Sequence, residues 1–200
     1  QEACKYMKEK LKQFTDSIKN EDKVFIYTET WFTGFAPCFD NNLYSLACCM
    51  GNKKNGGMKA RACKKFEEEQ AANNVWVLSV AGKDIADGTK HNCSDIVYKR
   101  GDMICLAKVT NAYTWEEYYS RFAYRRDAIY KFDVEKKTMI CVKHKDHTQK
   151  NAATDCALNN RDFRNLKQIV ISEQYVVFEG GHKLPQDLSA YRGGKLNEDM

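Results

Sequence analysis

The chain is 200 residues long and 43% apolar, with three Trp, eleven Tyr and ten Phe, which supplies a hydrophobic core and excludes a disordered chain. The formal charge is only +5, and acids separate the short basic pairs Lys64-Lys65, Lys99-Arg100, Arg125-Arg126 and Lys136-Lys137. No continuous basic stripe results, so no nucleic acid partner is expected. No apolar run reaches the roughly 18 residues needed to span a bilayer, so no membrane span is expected either.

The length suits one domain, predicted over residues 1–200, with a polar tail at 180–200 lying across the surface. Nine cysteines, Cys4, Cys38, Cys48, Cys49, Cys63, Cys93, Cys105, Cys141 and Cys156, are spread along the chain rather than gathered in Cys-x-x-Cys pairs. That distribution predicts a disulfide framework in a secreted, extracellular protein. Four bridges leave one thiol over, which is buried, blocked or joined to another chain. A start at Gln1 without an initiator Met fits a mature chain after signal-peptide removal. Asn92-Cys93-Ser94, in a loop-like stretch beside Asp87-Gly88, makes Asn92 a candidate N-glycosylation site.

In chain order, Tyr6 or Met7, Leu11, Phe14 and Ile18 recur every three or four residues and predict a helix over residues 4–18. Residues 24–32 are aromatic and β-branched and predict a strand. Phe25, Tyr27 and Glu29 share one side of it, and Val24, Ile26, Thr28 and Thr30 the other, so both sides are expected to be partly covered. Gly34 and Pro37 mark a turn. Residues 43–50 predict a second strand, in which Cys48 and Cys49 point to opposite faces. Residues 51–57 read as a turn and 58–66 as its returning strand.

Residues 75–80 give the clearest buried strand. Residues 95–98 and 103–110 read as a hairpin about Arg100-Gly101-Asp102. Residues 115–132 are ambiguous, since Trp115, Tyr118, Tyr119 and Phe122 fit a helical face whereas Tyr124, Ala128, Tyr130 and Phe132 fit a strand. A turn or short helix through residues 115–117 followed by strand from Tyr119 is expected. Residues 131–142 predict a hairpin turning at 133–137, residues 156–166 a late helix, and residues 168–171 and 174–178 strands. About eight strands suit a mainly β fold, an antiparallel up-and-down barrel flanked by two helices and stapled by disulfides, whose closure removes exposed edges.

The helix at 4–18, the aromatic strand at 24–32, and the stretch Asn92-Cys93-Ser94-Asp95-Ile96-Val97-Tyr98 followed by Met103-Ile104-Cys105-Leu106 together resemble a lipocalin of the arthropod salivary, tick type. The chain departs from that pattern in lacking a Gly-x-Trp start, Glu29-Thr30-Trp31 standing in its place, and in having no cysteine after Cys156. The resemblance implies a barrel that sequesters a small mediator, a biogenic amine or a lipid, or that binds a host protein on its outside. An amine needs a buried carboxylate among aromatic rings, for which Glu29 beside Tyr27 and Trp31 is the best local arrangement. A lipid needs an apolar cavity with polar anchors, for which Tyr119, Arg121 and Tyr130 are candidates.

Other readings compete. A secreted protein-binding antagonist or signalling partner with a solid core predicts an exposed aromatic patch with a polar rim. A small secreted phosphodiesterase could use His144 and His147 as base and acid, with Lys143 or Arg125 neutralising phosphate. Cys141, His144 and His147 are metal-ligand types at usable spacing, although Cys141 fits a disulfide better. Glu67-Glu68-Glu69 reads as a solvated face. Arg100-Gly101-Asp102 has the composition of an integrin-binding tripeptide and is expected at an exposed turn. No residue pattern calls for a cofactor.

Overall fold

The computed structural model describes residues 12–14, 16–29, 32–48, 57–69, 71–86, 95–143 and 165–184. Among them the elements run β1 (Lys23–Glu29), β2 (Tyr44–Leu46), α1 (Gly57–Glu69), β3 (Val75–Ala81), α2 (Lys83–Ala86), β4 (Met103–Lys108), β5 (Asn111–Tyr113), α3 (Trp115–Phe122), β6 (Tyr130–Asp133), β7 (Thr138–Cys141), β8 (Ile169–Ser172) and β9 (Gln174–Val177). They form a four-stranded sheet in the order β1-β3-β4-β9, a three-stranded sheet β2-β8-β5 and a hairpin β6-β7.

The expected closed antiparallel barrel is therefore corrected to a mixed α/β arrangement of small open sheets. The reason lies in residues 57–69. They form a helix, not a returning strand, because Ala60 and Ala62 favour helix and lysine–glutamate pairs support it. Lys64 pairs with Glu68 at 3.7 Å and Lys65 with Glu69 at 2.9 Å. A helix between β1 and β3 allows the chain to cross over and return in the same direction, and β1 and β3 do pair in parallel, Lys23 opposite Val75 through Glu29 opposite Ala81. Ala62 and Cys63 of α1 then bury against Val75, Val77, Cys105, Ala107 and Val170. A sheet face covered in this way has no need to curl shut.

The two larger sheets are halves of one bent ladder. Cys105 lies opposite Val177 and Lys108 opposite Gln174, and the register continues with Asn111 opposite Ile171 and Tyr113 opposite Ile169. At the corner the backbone groups are satisfied locally. Thr110 N donates to Ile171 O at 2.9 Å, Thr110 Oγ1 accepts from Glu173 N at 3.3 Å, and Ser172 Oγ accepts from Gln174 N at 3.0 Å.

Ile26, Trp76, Leu78, Val80, Leu106 and Phe178 fill the other face of the four-stranded sheet, where Phe14 and Ile18 pack. Lys12, Gln13 and Phe14 are helical, in agreement with the N-terminal helix as far as it is described. Asp22 anchors this face. Its carboxylate accepts from Lys19 N at 3.0 Å, Asn74 N at 2.9 Å and Trp76 Nε1 at 2.8 Å. Burial pushes the Asp22 carboxyl up, yet these donors outweigh it and hold the group below its ordinary value. A carboxyl depressed in the folded state stabilises above its unfolded pKa, about 3.9, and the contribution is lost as pH falls through the folded value. Asp22→Asn is expected to lower stability by on the order of 2 kcal/mol near neutrality and to flatten the acid limb, read by urea denaturation across acid and neutral pH.

Elsewhere β3, β8, β9 and the β6-β7 hairpin fall where the sequence places them. Asp133 Oδ1 accepts from Glu135 N and Lys136 N, both at 3.0 Å, to make the hairpin turn. Residues 96–99 are irregular rather than strand. α3 runs on to Phe122, so the strand expected from Tyr119 begins only at Tyr130; Thr114 and Glu117 start the helix with a reciprocal capping box. No disulfide joins described residues. Cys38, Cys63 and Cys105 are buried thiols and Cys141 a partly exposed one, where the sequence predicts bridges. Cys4, Cys49, Cys93 and Cys156, Asn92, the late helix at 156–166 and the tail beyond residue 184 lie outside the described residues.

Candidate functional site

β1 is an edge strand. Lys23 N donates to Asn74 O at 3.0 Å and Gly82 N donates to Glu29 O at 2.9 Å, so the odd-numbered residues of β1 direct their backbone groups toward β3. Gly82 is required there, because a Cβ on it would stand 2.9 Å from Glu29 O. Strand alternation turns the N–H and C=O groups of Val24, Ile26 and Thr28 the other way. No described residue bonds them there.

Beside this edge lies a groove of about 220 Å³, lined by Lys23, Val24, Phe25 and Ile26 of β1 and by Met58, Arg61 and Lys65 of α1. The three α1 residues recur at helical spacing and form one stripe. The floor is apolar and the rim basic. Lys65 is engaged by Glu69 at 2.9 Å and Glu68 at 3.4 Å, whereas exposed Arg61 and half-buried Lys23 have no ion-pair partner among the described residues. The groove is smaller than the roughly 300–1,000 Å³ typical of pockets that enclose a drug-sized ligand. It suits a side chain or two of an extended segment.

Five of the six sequence-predicted ligand residues are described, and they do not gather in one cluster. Tyr27 and Glu29 project from β1 into the cluster beneath α1, in a row of polar side chains across the sheet: Tyr27 opposite Ser79, and Ser79 opposite Cys105. Glu29 is 3% exposed and neither of its carboxylate oxygens has a hydrogen-bond partner among the described residues. Burial pushes its carboxyl well above the ordinary value. The neighbouring Ser79 hydroxyl pulls the other way without making a hydrogen bond of full geometry. Trp31 lies outside the described residues. Tyr130 is buried in a different cluster, edge-on to Trp115 at 4.8 Å. Tyr119 packs partly against that cluster, and Arg121 is exposed with its guanidinium 5.3 Å above the Tyr113 ring.

The cations expected to serve phosphate chemistry are occupied. Arg125 is 1% exposed, and Tyr118, Ser45 and Asp127 surround it. Arg125 Nε donates to Tyr118 OH at 3.0 Å, Nη2 to Ser45 Oγ at 2.8 Å and Leu43 O at 2.9 Å, and Nη1 to Asp40 O. Tyr118 OH donates to Asp127 Oδ1 at 2.7 Å and Ser45 Oγ to Asp127 Oδ2. Lys143 Nζ donates to Ala123 O at 2.6 Å and Arg125 O at 2.5 Å, closing the turn after α3. His144 and His147 lie outside the described residues.

Arg100-Gly101-Asp102 does form a turn, with Gly101 at φ 79°. Asp102, however, is buried, pairs with Lys183 at 2.6 Å and accepts from Lys99 N at 2.7 Å. Its carboxylate is thus turned inward and unavailable to a receptor. Glu67 pairs with Lys167 at 2.6 Å, so the acidic run of α1 is a set of ion pairs.

Lys23, Met58, Arg61 and Lys65 were not singled out by the sequence. The spacing of Met58, Arg61 and Lys65 carries the signal, and it is visible once residues 57–69 are taken as a helix. No helix among the described residues is long and apolar enough to cross a membrane. The chain matches no protein-family model, no curated protein and no solved structure.

Proposed function

We propose that this chain is an extracellular protein-binding partner which engages its target through the groove between α1 and the free edge of β1. The observation that carries this reading is the coincidence of an apolar floor with a strand edge that pairs with nothing, and an Arg61 that has no ion-pair partner, among the described residues. A carrier of small mediators fits less well, since Tyr27 packs in one cluster and Tyr119 and Tyr130 in another. The extracellular setting is supported by the Asn92 acceptor pattern, and the thiols of Cys38, Cys63, Cys105 and Cys141 add nothing to it.

Lys23 by itself has a plainer explanation in protection against aggregation, because charge on an edge strand blunts unwanted pairing. That accounts for Lys23 alone and not for the apolar floor with Arg61 across it. In the test, native mass spectrometry compares uptake of amines and fatty acids with binding of short acidic, extended peptides. Peptide binding is expected, and Lys23→Glu with Arg61→Glu is expected to weaken it about tenfold or more with an unchanged Tm. Stoichiometric uptake of a small mediator that is indifferent to these substitutions would overturn the proposal.

A further inference from the structure

We infer that the partner contributes an extended segment that adds to the four-stranded sheet as a fifth strand along β1, with an acidic residue two positions from an apolar one. This rests on the groove being the binding site. The backbone supplies the first half of the argument. Val24, Ile26 and Thr28 present donors and acceptors at alternate positions along the sheet edge, the template that an added strand completes. An added strand lies at about 4.8 Å from β1, and the groove occupies that flank of Lys23–Ile26.

Side-chain alternation supplies the second half. Residues of an incoming strand point by turns to the α1 side and to the opposite face. On the α1 side they meet Phe25 and Met58, which take an apolar side chain, and Lys23 and Arg61, which take a carboxylate. Neighbours on one face of a strand are two residues apart, hence the spacing between the apolar and acidic positions. Glu68 and Glu69 already engage Lys65, so Lys23 and Arg61 are the rim cations left for an acidic position, too few for a run of acids. A free carboxylate or phosphate shares the charge but offers no backbone ladder.

The probe is a synthetic, end-blocked peptide of about seven residues, alternating Thr with apolar residues and carrying Glu two positions from Ile. It is bound to the intact chain and followed by fluorescence anisotropy. Single N-methyl groups are then placed at each peptide position in turn. Strand addition requires an alternating pattern: methylation at N–H groups facing β1 lowers affinity about tenfold to a hundredfold, and at the positions between leaves it unchanged. Backbone amides of Val24, Ile26 and Thr28 should also gain protection from hydrogen exchange.

Binding that depends on Arg61 but shows no alternation would overturn strand addition while leaving the groove as the binding site. Failure of the peptide to bind at all would overturn both. Equal binding of Gln in place of Glu would overturn the acidic requirement, since the uncompensated Arg61 would then have no counterpart.

Discussion

Replacing Arg125 with Met is expected to destabilise the fold by about 3–5 kcal/mol, the cost of leaving one member of a buried ion pair without the other. The guanidinium is enclosed by the carbonyls of Asp40 and Leu43, the hydroxyls of Ser45 and Tyr118, and the Asp127 carboxylate at 3.5 Å. It therefore ties the segment before β2 to the end of α3. Without it, Asp127 keeps its two hydroxyl donors but loses the buried opposite charge beside it, at a site fully out of solvent. Burial already pushes the Asp127 carboxyl up, against Ser45, Tyr118 and Arg125, which lower it.

Loss of the cation raises the Asp127 pKa further. A carboxyl raised in the folded state stabilises fully below its unfolded pKa and ceases to do so as pH climbs toward the folded value. The variant should accordingly lose more stability at pH 8 than at pH 5, and Tm should fall on the order of 10 °C. Thermal unfolding of Arg125→Met at both pH values checks this, together with Arg125→Met/Asp127→Leu, in which the unpaired charge is absent and part of the loss is recovered. A single variant as stable as the parent at pH 8 would show the pair to be dispensable.

What the sequence discloses and what it hides follow from the range of the interactions involved. β3, the β6-β7 hairpin and the β8–β9 run are legible because β-branched residues are bounded by local turn chemistry, as with Asp133 at the hairpin. The α3 start is legible too, as Thr114-x-x-Glu117. α1 is hidden by Gly51, Gly56 and Gly57, whose turn-like composition suggests a hairpin and masks the helical spacing of Met58, Arg61 and Lys65. The parallel pairing of β1 with β3 has no local mark, since it depends on a helix crossing over. Arg125 and Arg126 look alike as a basic pair. Only the convergence of carbonyls and hydroxyls from residues 38–45 and α3 draws Arg125 inward, while Arg126 remains exposed and pairs with Asp40 at 3.4 Å. For Glu29 the alternation of β1 identifies the right face and says nothing of its surroundings. Glu29 shares Tyr27's face of the strand as expected, but it sits against Ser79 and Cys105 in a packed layer rather than in a cavity.

Glu29→Gln is expected to remove a pH dependence from stability. Among the described residues both Glu29 oxygens are buried without hydrogen-bond partners, and burying a carboxylate without a cation is costly, which favours the protonated form. Cys105 is buried in the same row, and its thiol is pushed well above its ordinary value by burial and then by the charge of Glu29, while the Ser79 hydroxyl favours the ionised carboxyl without outweighing burial. The folded state consequently holds a proton that the unfolded chain releases near pH 4.3. Stability is full below that pH and declines as pH rises toward the folded pKa, by up to about 1.4 kcal/mol per pH unit for one proton. The decline spans the interval between the unfolded value and the raised folded one, and it acts on a fold whose stability totals about 5–15 kcal/mol. Gln keeps the shape and cannot ionise, so urea unfolding between pH 4 and pH 9 should show a decline in the parent that the variant lacks. Parallel pH profiles for the two would mean that Glu29 ionises in the fold at little cost, and that a cation or donor reaches it.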